Sequence, residues 1–227
     1  MALYDYQGNV IAVSGSSDGA SPLSGKKVLL IGDSNVEYYA PTHKTYFEET
    51  YGCTFSTLAT AGATWETANG VGAADTSAVG KVNSLIANAD TETKLCTNYD
   101  MVLVMMGTNI STVGAVTDTS ADVSTMCGAV RYCLEKLAYY YRKSKVGVIL
   151  PMQQNEANAS QLERNDLIQQ ICEEYSIATL DLNRRGQIIG DNKLGTTSYY
   201  LGDGRHLGAN GMGQFHQTVG KWMAYEL

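Results

Sequence analysis

The sequence predicts an α/β fold: a parallel β-sheet covered by helices on both faces. Three observations predict it. Short, nearly continuous apolar runs recur at Val28-Ile31, Thr54-Leu58, Met101-Met106, Val146-Leu150 and Ala178-Leu182, which is how strands buried on both sides read. Stretches with apolar residues every three or four positions separate most of these runs, and that spacing makes one face of a helix. The chain has 227 residues, of which 44% are hydrophobic and 17% charged, so it is long enough and apolar enough for one globular domain. No internal repeat is visible.

The elements follow in order. "LYDYQGNVIAV" reads as a short hairpin with Gln7-Gly8-Asn9 as its turn, and "SGSSDGASPLSG" reads as a linker because Ser and Gly dominate it. Residues 1–25 are therefore expected to be a tail packed on the domain or a segment attaching it to a larger assembly, and residues 26–227 to be the domain proper. The first strand, in "KKVLLIGDSNV", stops abruptly on Gly32-Asp33-Ser34. Helix faces follow at Val82, Leu85, Ile86 and Ala89, and at Val123, Met126, Cys127, Val130, Leu134, Leu137, Ala138 and Tyr141. Arg142, Lys143 and Lys145 come next and suit the negative end of that helix dipole. Ile168, Ile171, Cys172 and Tyr175 make a further face, and Met212, Phe215, Val219, Trp222 and Met223 make the last.

Composition removes several function classes. A net charge of -7 offers no electrostatic footprint for nucleic acid or an anionic membrane. The five cysteines, Cys53, Cys96, Cys127, Cys133 and Cys172, show no CxxC or Cys/His spacing, so they read as buried apolar residues and not as a disulfide framework or zinc site. No metal or organic cofactor is expected. No apolar run approaches the ~18 residues of a membrane span. The start lacks a basic region followed by a long apolar one, so a cytoplasmic or virion-associated protein is expected unless a leader has been removed. No G-x-G-x-x-G or Walker pattern follows the first strand, which argues against nucleotide binding.

In a parallel sheet of this kind, ligands bind outside the carboxyl ends of the strands. The side chains found there are informative. Ser34 follows the first strand, Gly62 lies in the small-residue loop "STLATAGATWET" after the second, and Asn109 closes Gly107-Thr108-Asn109 after the third. Asp203 precedes His206 by three residues just ahead of the last helix. A hydroxyl, a close-approach glycine, a carboxamide and an Asp/His pair are the parts of a nucleophilic acyl-transfer site. Each also has a plainer reading. Ser34-Asn35-Val36-Glu37 is a capping box that starts a helix, Asn109 suits a turn, and Asp203-Gly204 is a turn signal. Of the three histidines, His43 follows Pro41 in a polar stretch and reads as a surface residue, while His216, next to Phe215 in the last helix, reads as a packed or rim residue. Only His206 has an acid spaced to orient its ring.

Taken together and in order, Gly32-Asp33-Ser34, Gly62, Gly107-Thr108-Asn109 and Asp203-Gly204-Arg205-His206 resemble the blocks of the GDSL or SGNH hydrolase family. The resemblance covers Lys26 to Leu227. Many relatives carry Asp after the third-block Asn, where this chain has Ile110 followed by the polar insertion "STVGAVTDTSAD". The resemblance implies a three-layer α/β/α sandwich with a flavodoxin-like, five-stranded parallel sheet. It implies a serine esterase with Ser34 as nucleophile, His206 as general base and Asp203 as its orienting acid. It also implies an oxyanion hole made of the Ser34 and Gly62 N–H groups and the Asn109 amide. Tyr38, Trp65 and Tyr200, with Tyr39 and Tyr199 beside them, lie close in sequence to these blocks and could form a sugar platform. The expected substrate is a small acyl ester or acetylated glycan. The alternatives are a lipid esterase or thioesterase, or a catalytically weak glycan-binding module of a phage tail or surface assembly.

Overall fold

In a computed structural model, the described residues are 2–4, 10–13, 20–67, 76–110, 112–154, 158–190 and 199–227. The expected hairpin turn at Gln7-Gly8-Asn9 and the first half of the expected linker lie outside them.

Each of the five apolar runs is a strand: β3 (Lys27–Gly32), β4 (Thr54–Ala59), β5 (Met101–Met105), β6 (Lys145–Leu150) and β7 (Ala178–Asp181). They pair in parallel in the order β4-β3-β5-β6-β7. Ahead of them, β1 (Ala2–Tyr4) and β2 (Val10–Val13) pair antiparallel in a separate two-stranded sheet. The helices are α1 (Ser34–Glu37), α2 (Ala40–Tyr51), α3 (Ala78–Ile86), α4 (Met126–Tyr140), α5 (Asn158–Glu174), α6 (Leu182–Arg185) and α7 (Ala209–Tyr225).

Strand side chains alternate between two cores, because successive residues point to opposite faces. Leu29, Ile31, Val102, Val104, Val148 and Leu150 face α3, α4 and α5, where Val79, Val82, Val130, Leu134 and Ile171 meet them. Val28, Leu30, Leu103, Met105 and Ile149 face α2 and α7, where Phe47, Phe215, Val219 and Trp222 close the other layer. The result is a three-layer α/β/α sandwich with flavodoxin-like strand order. Ile110, Val113 and Val116 pack against the first core, so the insertion after the third strand is anchored by its apolar residues. Leu23 is buried in the second core, which means that the domain's packing begins before Lys26.

Local chemistry sets the helix ends. The Ser77 hydroxyl accepts from the Gly80 N–H at 3.1 Å and starts α3, and the Thr125 hydroxyl accepts from the Gly128 N–H at 3.2 Å and starts α4. At the far end of α4, Arg142 donates to the Tyr139 carbonyl at 2.7 Å, the role that its place after the helix suggests. Among the described residues, no helix is long and apolar enough to cross a membrane.

Register aligns the strand ends. Gly32 pairs with Ala59 on one side and Met105 on the other, so the loops after β3, β4 and β5 leave the sheet at one level. Gly32 also allows a close approach. A Cβ there would lie 2.1 Å from Val36 Cγ2 and 2.5 Å from Val36 Cβ, and Val36 is itself fully buried. The turn from strand to α1 closes this tightly only without a side chain at 32.

Gly32→Ala is therefore expected to lower stability by about 1–3 kcal/mol or more through overpacking. Gly213→Ala, on the exposed side of α7 where a Cβ meets nothing within 4 Å, is expected to be neutral or to stabilise by about 0.5–1 kcal/mol. Thermal melting of the two variants reads both outcomes.

Candidate active site

The short helix α1 is capped by Asp33, not by Ser34. Asp33 Oδ1 accepts from the Asn35 N–H at 3.0 Å, and the carbonyl of Asp33 accepts from Val36 and Glu37. The capping box expected at Ser34 does not form, because the serine is already the first residue inside the helix. Its hydroxyl is left to the cleft. Glu37, the expected partner in that box, turns elsewhere: its Oε2 accepts from the Ala61 N–H at 2.6 Å.

Ser34 Oγ lies 2.9 Å from His206 Nε2, and His206 Nδ1 lies 2.5 Å from Asp203 Oδ2. The carboxylate decides the tautomer. With Nδ1–H donating to Asp203, Nε2 presents a lone pair to the serine hydroxyl. The other Asp203 oxygen accepts from the backbone N–H groups of Arg205 and His206, each at 3.0 Å. Burial works to raise the Asp203 pKa, but the His206 ring and these two N–H groups outweigh it and hold the carboxyl at about 2. The loop carrying the pair is closed on itself. Leu201 N–H donates to the His206 carbonyl at 2.8 Å, Gly208 N–H donates to the Tyr199 carbonyl at 2.8 Å, and Tyr200 and Leu207 form a bridge. Tyr39, which precedes α2, donates its hydroxyl to the Leu207 carbonyl at 2.6 Å, tying this loop to the junction between α1 and α2.

The loop after β4 approaches from the other side. Gly62 has φ +75°, a left-handed conformation that favours glycine, and no atom lies within 4 Å of where its Cβ would stand. Several bonds hold the loop besides the sheet, among them Ala61 N–H to Glu37, Lys81 Nζ to Thr60 Oγ1 at 2.7 Å, and Asn109 Nδ2 to the Ala63 carbonyl at 3.3 Å. The Asn109 amide thus stands beside the Gly62 loop. Beneath the site, Asp33 is almost completely buried, and burial pushes its carboxyl up to about 6 against the lowering influence of Asn35, Thr108 and the His206 charge. Among the described residues, no group of three His, Cys, Asp or Glu side chains could hold a metal ion.

The aromatic expectations divide. Tyr38 is 57% exposed, with its ring 5.0 Å from the His206 ring and tilted by 46°. Trp65 is fully buried in the core under α3 and α4 and offers no surface to a sugar. Tyr200 is only 5% exposed and serves the packing of the His206 loop. Both were expected at the platform, and burial removes both. His43 was expected at the surface and is instead fully buried, with Nδ1 2.9 Å from His216 Nε2 and Nε2 3.2 Å from the Asn35 carbonyl. His216 is packed, and its ring stacks on Tyr46 at 4.4 Å.

No family model matches the sequence, and no curated protein matches it. Solved structures do match over nearly the whole chain. A protein from Bacteroides uniformis described as a GDSL-like lipase is 20% identical with a TM-score of 0.57, over 89% of this chain and 96% of that one. A lipase/acylhydrolase from Enterococcus faecalis is 12% identical with a TM-score of 0.58, over 89% and 97%. An acetyl xylan esterase from Geobacillus stearothermophilus is 16% identical with a TM-score of 0.52, over 90% and 97%. At these identities the likeness is one of fold. The chain has the α/β/α fold of the GDSL-like lipases and SGNH hydrolases.

The buried histidines carry a pH prediction. Burial, and for His43 also the neighbouring His216, lowers their pKa values to about 3 and about 4. In the unfolded chain they would titrate at about 6.5. Between those limits the unfolded state binds more protons, so their contribution to stability is present above about pH 6.5 and is lost as pH falls. Asp33 has the opposite sign, since its raised pKa adds stability as pH falls from about 6 towards about 4. The two histidines outweigh the single acid. The expected outcome is a melting temperature that falls on acidification, with the His43 and His216 ring signals unshifted in NMR spectra between pH 8 and 5. Titration of both rings near pH 6.5 would contradict their burial.

Proposed function

We propose that this protein is a serine esterase that removes short acyl groups, O-acetyl above all, from carbohydrate. The observation that carries the reading is the continuous line of hydrogen bonds from Ser34 through His206 to Asp203 at the carboxyl end of the sheet. Ser34 Oγ attacks the ester carbonyl while His206 Nε2 takes its proton. Asp203 keeps the imidazole in the tautomer that can accept it and stabilises the imidazolium that forms. The negative charge on the carbonyl oxygen falls to the Ser34 and Gly62 N–H groups and the Asn109 amide. His206 then protonates the departing alcohol, and water attacks the acyl-enzyme with His206 again as base.

Two observations favour a sugar as the leaving alcohol. Tyr38 presents an exposed ring beside the histidine that must protonate it, and an aromatic face suits the apolar face of a pyranose. One of the structural neighbours is an acetyl xylan esterase. The second reading, a lipid ester, is favoured by Leu201, which is 51% exposed on the His206 loop, and by neighbours described as lipases.

The two readings part on acyl length and on Tyr38. With p-nitrophenyl esters, kcat/KM is expected to peak at acetyl or propionyl. Rates that climb through octanoate, by about 0.8 kcal/mol for each methylene buried, would favour the lipid reading. Tyr38→Ala is expected to raise KM for acetylated xylo-oligosaccharides while leaving p-nitrophenyl acetate hydrolysis nearly unchanged. An equal effect on both substrates would remove Tyr38 from sugar binding.

A further inference from the structure

Beneath α1 lies a polar assembly that the triad does not use. α1 is four residues long, and Tyr39, at φ -111° and ψ 11°, does not continue it. The Asn35 carbonyl therefore lacks the i+4 N–H that a longer helix would supply. Asn35 is the residue after Ser34 and is 1% exposed, so water cannot serve its carbonyl cheaply. The donor is His43 Nε2 on α2, at 3.2 Å.

The direction of each bond is determined. A carbonyl only accepts, so His43 Nε2 carries the hydrogen. In a neutral ring Nδ1 must then be the acceptor. His216 on α7 faces that atom at 2.9 Å and so donates from its own Nε2. Packing fixes both rings: His43 between Phe47 and Phe215, with the edge of Tyr39 against it, and His216 stacked on Tyr46. Two buried imidazoles among aromatic rings are a costly way to fill space, since a phenylalanine would bury no polar atom there. What they add is the bond to Asn35.

That bond completes a clamp. The Asn35 N–H is held by Asp33 Oδ1, and its C=O by His43. The same cluster reaches the other half of the triad, because Tyr39, packed on His43, holds the Leu207 carbonyl next to His206.

We propose that His43, held in its tautomer by His216, is a positioning residue for Ser34: its Nε2–H fixes the Asn35 carbonyl and with it the aim of the serine hydroxyl at His206. The inference rests on the reading of Ser34 as the nucleophile, and it assigns work to two histidines whose removal the sequence alone would rate as mild.

The test compares His43→Leu, His43→Gln and His216→Phe with the parent on p-nitrophenyl acetate, with Ser34→Ala as reference. Glutamine places an N–H donor near the position of Nε2; leucine does not. His43→Leu is expected to lower kcat by roughly 10- to 100-fold with little change in KM, the scale of a small misplacement of a reacting group. His43→Gln restores most of that loss, and His216→Phe falls between. Melting curves establish that each variant is folded; if His43→Leu is not, the Gln and Phe variants carry the comparison. A folded His43→Leu with parental kcat, or a glutamine variant no better than leucine, overturns the proposal. So does 15N NMR of the parent showing His43 as the Nδ1–H tautomer, a result that needs no turnover. A parent without esterase activity, or an active Ser34→Ala, would instead overturn the reading of Ser34 and is distinguished by those two controls.

Discussion

The site depends on the in-register parallel pairing of β3 with β4 and β5. Gly32 stands level with Ala59 and Met105, so the three chain segments that carry Ser34, Gly62 and Asn109 leave the sheet side by side. Pairing in a parallel sheet is slanted and repeats every two residues, so a slip of one residue would turn every strand side chain to the opposite core. The two cores prevent this, since Val28 and Leu30 cannot exchange faces with Leu29 and Ile31 without emptying both. Apolar packing thereby sets the position of the polar groups above it. The missing Cβ at Gly32 adds the last restriction, letting Val36 fold back against the strand and turning Ser34 up at the rim.

Above that frame, the polar groups are held by hydrogen bonds between neighbouring loops. Glu37 fastens the Gly62 loop to α1, Asn109 fastens the same loop to the end of β5, and Tyr39 fastens the His206 loop to the start of α2. Each of these bonds joins two segments distant in the chain, so every loop at this end of the sheet is tied to another element besides its own strand. Such redundancy suits a catalytic constellation, whose geometry must be held by surrounding packing and hydrogen bonds. It also accounts for Asp33, His43 and His216, buried polar side chains beside α1 that make specific bonds an apolar core could not.

Much of this was legible in the sequence, for physical reasons. Strands buried on both faces must be largely apolar, so the central β3, β5 and β6 showed as apolar runs, while the half-buried edge strands β4 and β7 showed as runs interrupted by Thr, Ser or Asp. Helix faces showed because α4 and α7 bury one side against the sheet. Ser34 was readable as a candidate because a polar side chain stands where a buried strand stops, and Asp203 and His206 because their spacing of three lets the acid orient the ring. What stayed hidden depends on tertiary neighbours. His43 sits between Pro41 and Lys44 in a stretch that looks exposed, and only the docking of α7 buries it against His216. Trp65 follows a small-residue loop and suited a sugar platform by its place in the sequence, but it is buried in the core that α3 and α4 cover. Glu37 has the spacing of a capping partner, yet Asp33 took the cap first and left Glu37 free for Ala61. The spacing of Asp203 and His206 was local and visible; the 2.9 Å contact of His206 with Ser34 spans 172 residues of chain and was expected only through the resemblance to a family.

The central claim is that Ser34 forms a covalent acyl-enzyme when His206 removes its proton. The most direct measurement is mass spectrometry of the intact protein after reaction with an activated organophosphorus ester, followed by peptide mapping. The account predicts one adduct per chain, on the peptide carrying Ser34, formed in the parent protein and greatly slowed in His206→Ala. An unmodified Ser34, or an adduct on another residue at undiminished rate in Ser34→Ala, would contradict it.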